Sequence, residues 1–314
     1  MTEIRLPFKR TFLEGVPLRF VNLTELSRGT LDSRDLAEDG YWKVASEEPV
    51  AYLMLRDGRP YRIIGHESPD LGSFVRFLTK DSRELCLTFR FVDKGCLPCL
   101  LRIWTEEPVL RDLKQSANDT MELLRSLKKS KESGLLQLRW EENLGLVPVS
   151  SGKISKGFLP GRTVQGRDLL NFLSKELPAE ATGDFYPGKI TALSPVGVAE
   201  VSLLVSSFNN WLEALRPTWP ECDDITQELF RKLCDQEKCM QAFKFYMEDG
   251  LFLKKPLEQT DTLPGVLTTL IKGIAEHHAS EETCIKVFGS ANRENKMALA
   301  SAGLNEIVGK PKAM

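Results

Sequence analysis

GYWKVASEEPVAYLMLRDGRPYRII, residues 40–64, and GLLQLRWEENLGLVPVSSGKISKGF, residues 134–158, decide how this chain is read. Laid over each other without a gap, Gly40 meets Gly134, Glu47-Glu48 meets Glu141-Glu142 and Gly58 meets Gly152, all at an offset of 94. Apolar character is shared at Val44/Leu138, Val50/Leu144, Tyr52/Leu146, Leu55/Val149 and Ile64/Phe158. After one inserted residue, SFVRFLTKD (Ser73 to Asp81) lies over DLLNFLSKE (Asp168 to Glu176), so Phe77, Leu78 and Lys80 recur as Phe172, Leu173 and Lys175. Two blocks at nearly one offset mark an internal duplication, which has to be sought before any motif.

Each copy has the same local plan. Alternating runs at Trp42 to Ala45 and Val50 to Leu55 suit half-buried strands, and Asp57-Gly58 or Ser151-Gly152 supplies the positive φ of a tight hairpin. A third short strand follows. Ser68-Pro69-Asp70 is expected to cap a helix bearing a Leu71, Phe74, Leu78 stripe. An aromatic strand comes next, LTFRF in the first copy and a shorter GDFY in the second, and a second helix ends the unit. The expected fold is α+β: two tandem modules over 1–115 and 116–216, each a three-stranded hairpin meander, helix, strand and helix, followed by an all-α segment over 217–314. In that segment Asp224 and Gln227 offer a capping box for a helix to Glu248, stopped by Asp249-Gly250. Further helices are expected over Leu263–His278 and Arg293–Val308, with a disordered GKPKAM tail.

The bulk properties narrow the function. The 314 residues can bury a large core, and 42% hydrophobic with 27% charged is ordinary for a globular protein. A formal charge of −2 and a pI near 6.1 create no global field for a nucleic-acid backbone, so no nucleic-acid partner is expected. No stretch reaches the roughly 18 apolar residues of a membrane span, and MTEIRLPFKRTFLEG lacks the apolar centre of a signal peptide. The expectation is a cytoplasmic protein without membrane insertion. Seven cysteines, an odd number spread over a long chain, argue against a disulfide framework.

KGCLPCLLRIW, Lys94 to Trp104, poses the sharpest question of chemistry, because Cys96 and Cys99 stand where an extended run enters an apolar helix. A helix N-terminus lowers a thiol pKa, which keeps a thiol-redox or metal-binding role open for the pair. With the offset drifting to 97, however, Pro98 meets Pro195 while Cys96 and Cys99 meet the aliphatic Leu193 and Val196. Buried cysteine is a small hydrophobe, and the favoured reading places both thiols in a core. His277, Glu281 and Cys284 fall at i, i+4 and i+7, a spacing that can hold a metal on one helix face, although a solvated helix is the simpler reading. Cys234 is expected in a core with Leu229, Phe230, Leu233 and Met240.

One basic group stands out: Arg125, Lys128, Lys129 and Lys131 at the end of a helix, with Arg139, Lys153 and Lys156 in the hairpin that follows. Cations at a helix C-terminus offset its dipole, so part of the cluster has a structural purpose. The rest is a candidate docking face for an acidic protein or a phosphate-bearing ligand. No GxGxxG, GxxxxGK[ST], GxSxG or HExxH occurs, so catalytic, cofactor and metal residues are all left unassigned.

ELLRSLKKSKESGLLQLRWEENLGLVPVSSGKISKG, Glu122 to Gly157, followed by LLNFL and GDFY, resembles the PATAN-like modules of bacterial signalling proteins. DGRPYRII, FVRFL and LTFRF carry the same pattern in the first copy, and the resemblance covers about residues 40 to 205. It implies a protein-interaction module and brings no catalytic residue with it. The expected function is a non-enzymatic bacterial scaffold or adaptor of a signalling, polarity or motility pathway, without a cofactor. Thiol-redox or metal chemistry at Cys96 and Cys99 is the alternative, and binding of a nucleotide second messenger a weaker one.

Overall fold

Two tight turns recur at matching places in the duplicated region. Asp57 and Gly58 have φ of 48° and 75°, and Ser151 and Gly152 repeat this with 48° and 73°. A computed structural model describes residues 4–23, 38–68, 70–80, 84–114, 117–194, 196–257 and 260–308.

In chain order the first copy comprises β1 (Arg10–Pro17), β2 (Gly40–Ala45), β3 (Pro49–Arg56), β4 (Arg59–Ile64), α1 (Leu71–Lys80), β5 (Cys86–Phe91) and α2 (Cys96–Thr105). The second comprises β6 (Leu110–Lys114), α3 (Ala117–Ser130), β7 (Gly134–Trp140), β8 (Asn143–Ser150), β9 (Lys153–Ile154), β10 (Lys156–Leu159), β11 (Arg162–Gln165), α4 (Gly166–Asn171) continued by a π turn (Phe172–Glu176), and β12 (Thr182–Pro187). Then come α5 (Val198–Leu215), α6 (Cys222–Gln236), β13 (Phe243–Tyr246), β14 (Gly250–Leu253), α7 (Leu263–Glu276), α8 (Glu281–Ala291), α9 (Lys296–Ser301) and α10 (Asn305–Val308). The fold is α+β with antiparallel sheets, and the C-terminal part is mainly helical.

The chain divides into two units, one of Met1–Asn22, Leu31–Arg59 and Ser82–Leu193, the other of Leu23–Thr30, Pro60–Asp81 and Ser194–Met314. In the first unit one sheet runs β1-β5-β2-β3 and another β11-β10-β8-β7-β12-β6, with β9 paired to β8. The duplication is one of topology and of register. Trp42 pairs with Leu53 and Phe89, as Leu136 pairs with Val147 and Phe185. Sequence reading missed the outer strands β1 and β6, where Leu13 sits opposite Phe89 and Leu110 opposite Phe185. Both are broken by register shifts, so neither RTFLEGVP nor LRDLK shows a clean period of two.

Alternation gives the second sheet two different faces. Leu136, Leu138, Val147, Val149 and Phe185 pack under Leu127 of α3 and Leu169 of α4. The opposite face buries polar groups, Gln137, Asp184 and Tyr186. Their register equivalents in the first sheet, Lys43, Thr88 and Arg90, are buried too. Helix α2 packs against β8 and is fastened to the end of β12 by Arg102, whose side chain is 7% exposed. Arg102 donates to the carbonyls of Gly188 (2.8 Å) and Pro187 (2.5 Å) and to Glu106 (2.8 Å).

Several expectations need correction. Helix α1 begins at Leu71 and its cap is Asp70, whose Oδ1 accepts from Ser73 N at 2.7 Å; Ser68 bonds His66 instead. Pro69 lies outside the described residues, as do Pro195 and the tail from Gly309. β12 is as long as β5, not shorter. The third strand of the second copy is split into β9 and β10 and extended by β11. Helix α5 starts at Val198, so Leu193 and Val196 precede a helix while Cys96 and Cys99 lie inside one; the drifting offset did not track the elements.

In the second unit, Phe208, Trp211 and Phe288 centre the core, and Trp211 Nε1 donates to the Cys284 carbonyl at 3.0 Å. Helix α6 ends at Gln236, well before Glu248, and its start at Cys222 has Glu221 as cap in place of Asp224. The residues beyond form a hairpin, because Phe243, Phe245 and Leu251 are buried by alternation and Gly250 (φ 98°) supplies its turn. Helix α7 ends at Glu276, close to the expected His278. The last expected helix is broken by Gly303 (φ 104°) into α9 and α10.

Replacing Arg102 with Met leaves two carbonyls without their charged donor. The expected loss is about 2–4 kcal/mol of unfolding free energy in chemical denaturation; a loss below about 1 kcal/mol would show that α2 is held by apolar packing alone.

Candidate functional site

The basic residues at the end of α3 meet the hairpin β8–β9 through a close backbone approach. A Cβ on Gly152 would lie 2.5 Å from the Leu127 carbonyl oxygen and from Lys128 Cα, so only glycine seats the turn under the last helical turn. Gly152 N donates to Glu132 O (2.6 Å), and Ser151 N donates to Ser133 Oγ (2.9 Å). Lys131 adopts φ 55° where the helix leaves. Lys128, Lys129 and Lys131 are thereby brought to the turn that carries Lys153, with Arg125 one helical turn earlier.

All five of these cations are exposed, and none has an ion pair or side-chain hydrogen bond among the described residues. The dipole accounts for cations on the helix at about 0.3–1 kcal/mol each. It does not account for Lys153, which stands on the strand. Lys156 does not join the corner: it is half-buried, donates to the Lys94 carbonyl at 3.1 Å and lies 4.9 Å from the Phe158 ring centre. Arg139 also lies elsewhere, on the polar face of the second sheet, bonded to Asp112 and Asp184.

Cys96 and Cys99 are each 1% exposed. Cys96 is the first residue of α2, and Cys99 Sγ donates to the Gly95 carbonyl at 3.3 Å. Burial pushes the Cys99 thiol up to about 12 and the Cys96 thiol well above its ordinary value, with the neighbouring Cys99 adding to the latter. Burial therefore outweighs the helix N-terminus. The metal spacing of His277, Glu281 and Cys284 does not survive folding, because α7 ends at Glu276 and Ser280 caps α8 anew by accepting from Thr283 N. His277 Nδ1 lies 2.8 Å from the Gly273 carbonyl oxygen, and no cluster of three metal-ligating residues occurs among the described residues. Cys234 is partly buried and its Sγ lies 3.6 Å from the Met240 carbonyl oxygen.

Sequence reading did not find a second feature of the first unit, a cleft of about 370 Å³ on the polar face of the second sheet. Its floor is Gln137, Arg139, Asp184 and Tyr186, and Tyr52 with Trp104 of α2 forms one wall, their ring centres 5.1 Å apart. Asp112 (φ 49°) turns its N–H toward Asp184 Oδ1 at 2.9 Å. Burial, then the Asp184 carboxylate, raises the Tyr186 pKa, keeping its hydroxyl a donor to Gln137 Oε1 at 2.9 Å. The hint in the sequence was polar residues at alternate positions of a strand, Gln137 and Arg139, which on a one-faced sheet read simply as the solvent side.

Two measurements check this geometry. Gly152→Ala is expected to cost about 2–4 kcal/mol, whereas Gly161→Ala, at φ 79° but with open space around it, is expected to cost about 1 kcal/mol. Native Cys96 and Cys99 should react with a thiol reagent at least about 100-fold more slowly than in denaturant at pH 8. Because burial raises both folded pKa values, the stability the thiols contribute is full below the unfolded thiol pKa and is lost as pH climbs through the folded values, about 12 for Cys99. No family model, curated protein or solved structure matches the chain.

Proposed function

We propose that this chain is a non-enzymatic bacterial adaptor that docks an acidic protein partner on the corner formed by α3 and the β8–β9 turn. The observation that carries the reading is the set of five exposed cations gathered there, without an ion pair among the described residues, of which Lys153 has no helix dipole to serve. The resemblance to PATAN-like interaction modules supports it, as does the duplication, since two linked binding surfaces raise effective concentration without new chemistry. The burial of both CLPC thiols and their raised pKa values weigh against thiol chemistry as the main activity. A signalling, polarity or motility pathway in the cytoplasm is the setting proposed. No helix among the described residues is long and apolar enough to cross a membrane.

Charge reversal tests the corner. Lys153→Glu should change stability by less than about 0.5 kcal/mol. Combined with Lys128→Glu, it should abolish capture of a partner that the wild-type chain retains from its native host, and wild-type capture should weaken steeply with added salt. Equal capture by both proteins removes this docking face. If nucleotides raise the melting temperature of wild type and not of a Lys128→Glu/Lys129→Glu variant, the corner holds a phosphate-bearing ligand in place of a protein.

A further inference from the structure

The ion pairs around the cleft do not balance. Arg102 is paired with Glu106, and Arg111 with Glu107. Arg139 serves two carboxylates at once, its Nη2 lying 2.7 Å from Asp112 Oδ1 and 3.1 Å from Asp184 Oδ1. Four carboxylates in this network therefore share three guanidinium groups, and one negative charge is left over. Asp184 receives Arg139 and the Asp112 N–H on Oδ1 alone, so its Oδ2 has no donor among the described residues although the side chain is only 8% exposed. That oxygen is not among the buried polar atoms sealed from solvent, and Asp184 lines the cleft.

Burying a carboxylate is costly unless it is paired, and a charged N–H donor is the partner that best offsets the cost. One free oxygen is enough for the N–H donors of a primary ammonium. A metal ion needs several ligands, and no cluster of three metal-ligating residues occurs among the described residues. The leftover negative charge disfavours an anion. The rings of Tyr52 and Trp104, their centres 5.1 Å apart and Ile103 beside them, offer an apolar and aromatic wall for the body of a ligand. Their electron-rich faces favour a cation as well. At about 370 Å³ the cleft lies at the small end of the roughly 300–1,000 Å³ range of small-molecule sites.

We propose that this cleft binds a small aromatic amine, a primary ammonium joined by a short chain to a ring, with its ammonium on Asp184 Oδ2 and its ring against Trp104 and Tyr52. The inference is independent of the docking corner, which shares none of these residues.

Thermal denaturation and calorimetry of the whole chain test it with four probes: tryptamine, phenethylamine, 2-phenylethanol (no charge) and 3-phenylpropionate (the opposite charge). The two amines at about 10 mM should raise the melting temperature by roughly 2 °C, and the alcohol and the acid should not. Asp184→Asn removes the charge at nearly constant shape and should weaken amine binding at least about tenfold. Because that variant disturbs a buried ion pair, Trp104→Ala is the second; it touches none of the ion pairs and should weaken binding of both amines about tenfold. No shift with either amine, an equal shift with the alcohol or the acid, or undiminished affinity in a folded Asp184→Asn or Trp104→Ala variant would each overturn the proposal.

Discussion

Everything in the first unit depends on strand register, which side-chain alternation and the short turns between neighbouring strands fix together. Because side chains alternate, a slip of one residue in β7 would exchange its faces. Leu136 and Leu138 would enter the cleft, and Gln137 and Arg139 would be forced under α3 and α4 against an apolar core. The cost of burying an unpaired guanidinium among leucines is many times the cost of any single turn. Ser151-Gly152 closes the hairpin of β8 and β9 and lets it lie against the last turn of α3.

The first unit covers both faces of its second sheet, and this explains why polar groups are buried where a one-sided sheet would leave them wet. Helix α2, from the first copy, lies against β8, and Arg102 satisfies the carbonyls of Pro187, the last residue of β12, and of Gly188. Polar residues on that face then had to find partners: Tyr186 with Gln137, and Asp184 with Arg139 and the Asp112 N–H. The CLPC thiols occupy the same helix and are buried with it, which is a packing role for residues whose spacing resembles a redox motif.

The two copies have diverged by surroundings more than by topology. Positions equivalent to Gln137, Asp184 and Tyr186 are Lys43, Thr88 and Arg90, so polar character recurs where residue identity does not. In the second copy the equivalents of β4 and α1 belong to the first unit, whereas Pro60–Asp81 belongs to the second. A duplicated strand order can therefore serve different neighbours once one copy exchanges its packing partners.

The sequence alone determined what local chemistry determines. Glycine offsets of 94 located both hairpins, period-two alternation located β2, β3, β7 and β8, and Pro264 with its apolar run located α7. Where two local patterns competed, as in FKFY after α6, or where a strand lacked alternation, as in β1 and β6, the outcome rested on contacts made far along the chain. Tertiary structure decided the rest: that Lys153 joins α3 while Lys156 does not, that His277 and Glu281 part company at Ser280, and that Arg139 meets Asp184 across 45 residues. Charge and burial depend on distance in space, and a chain's pattern specifies distance only within the few residues that one turn or one helical repeat spans.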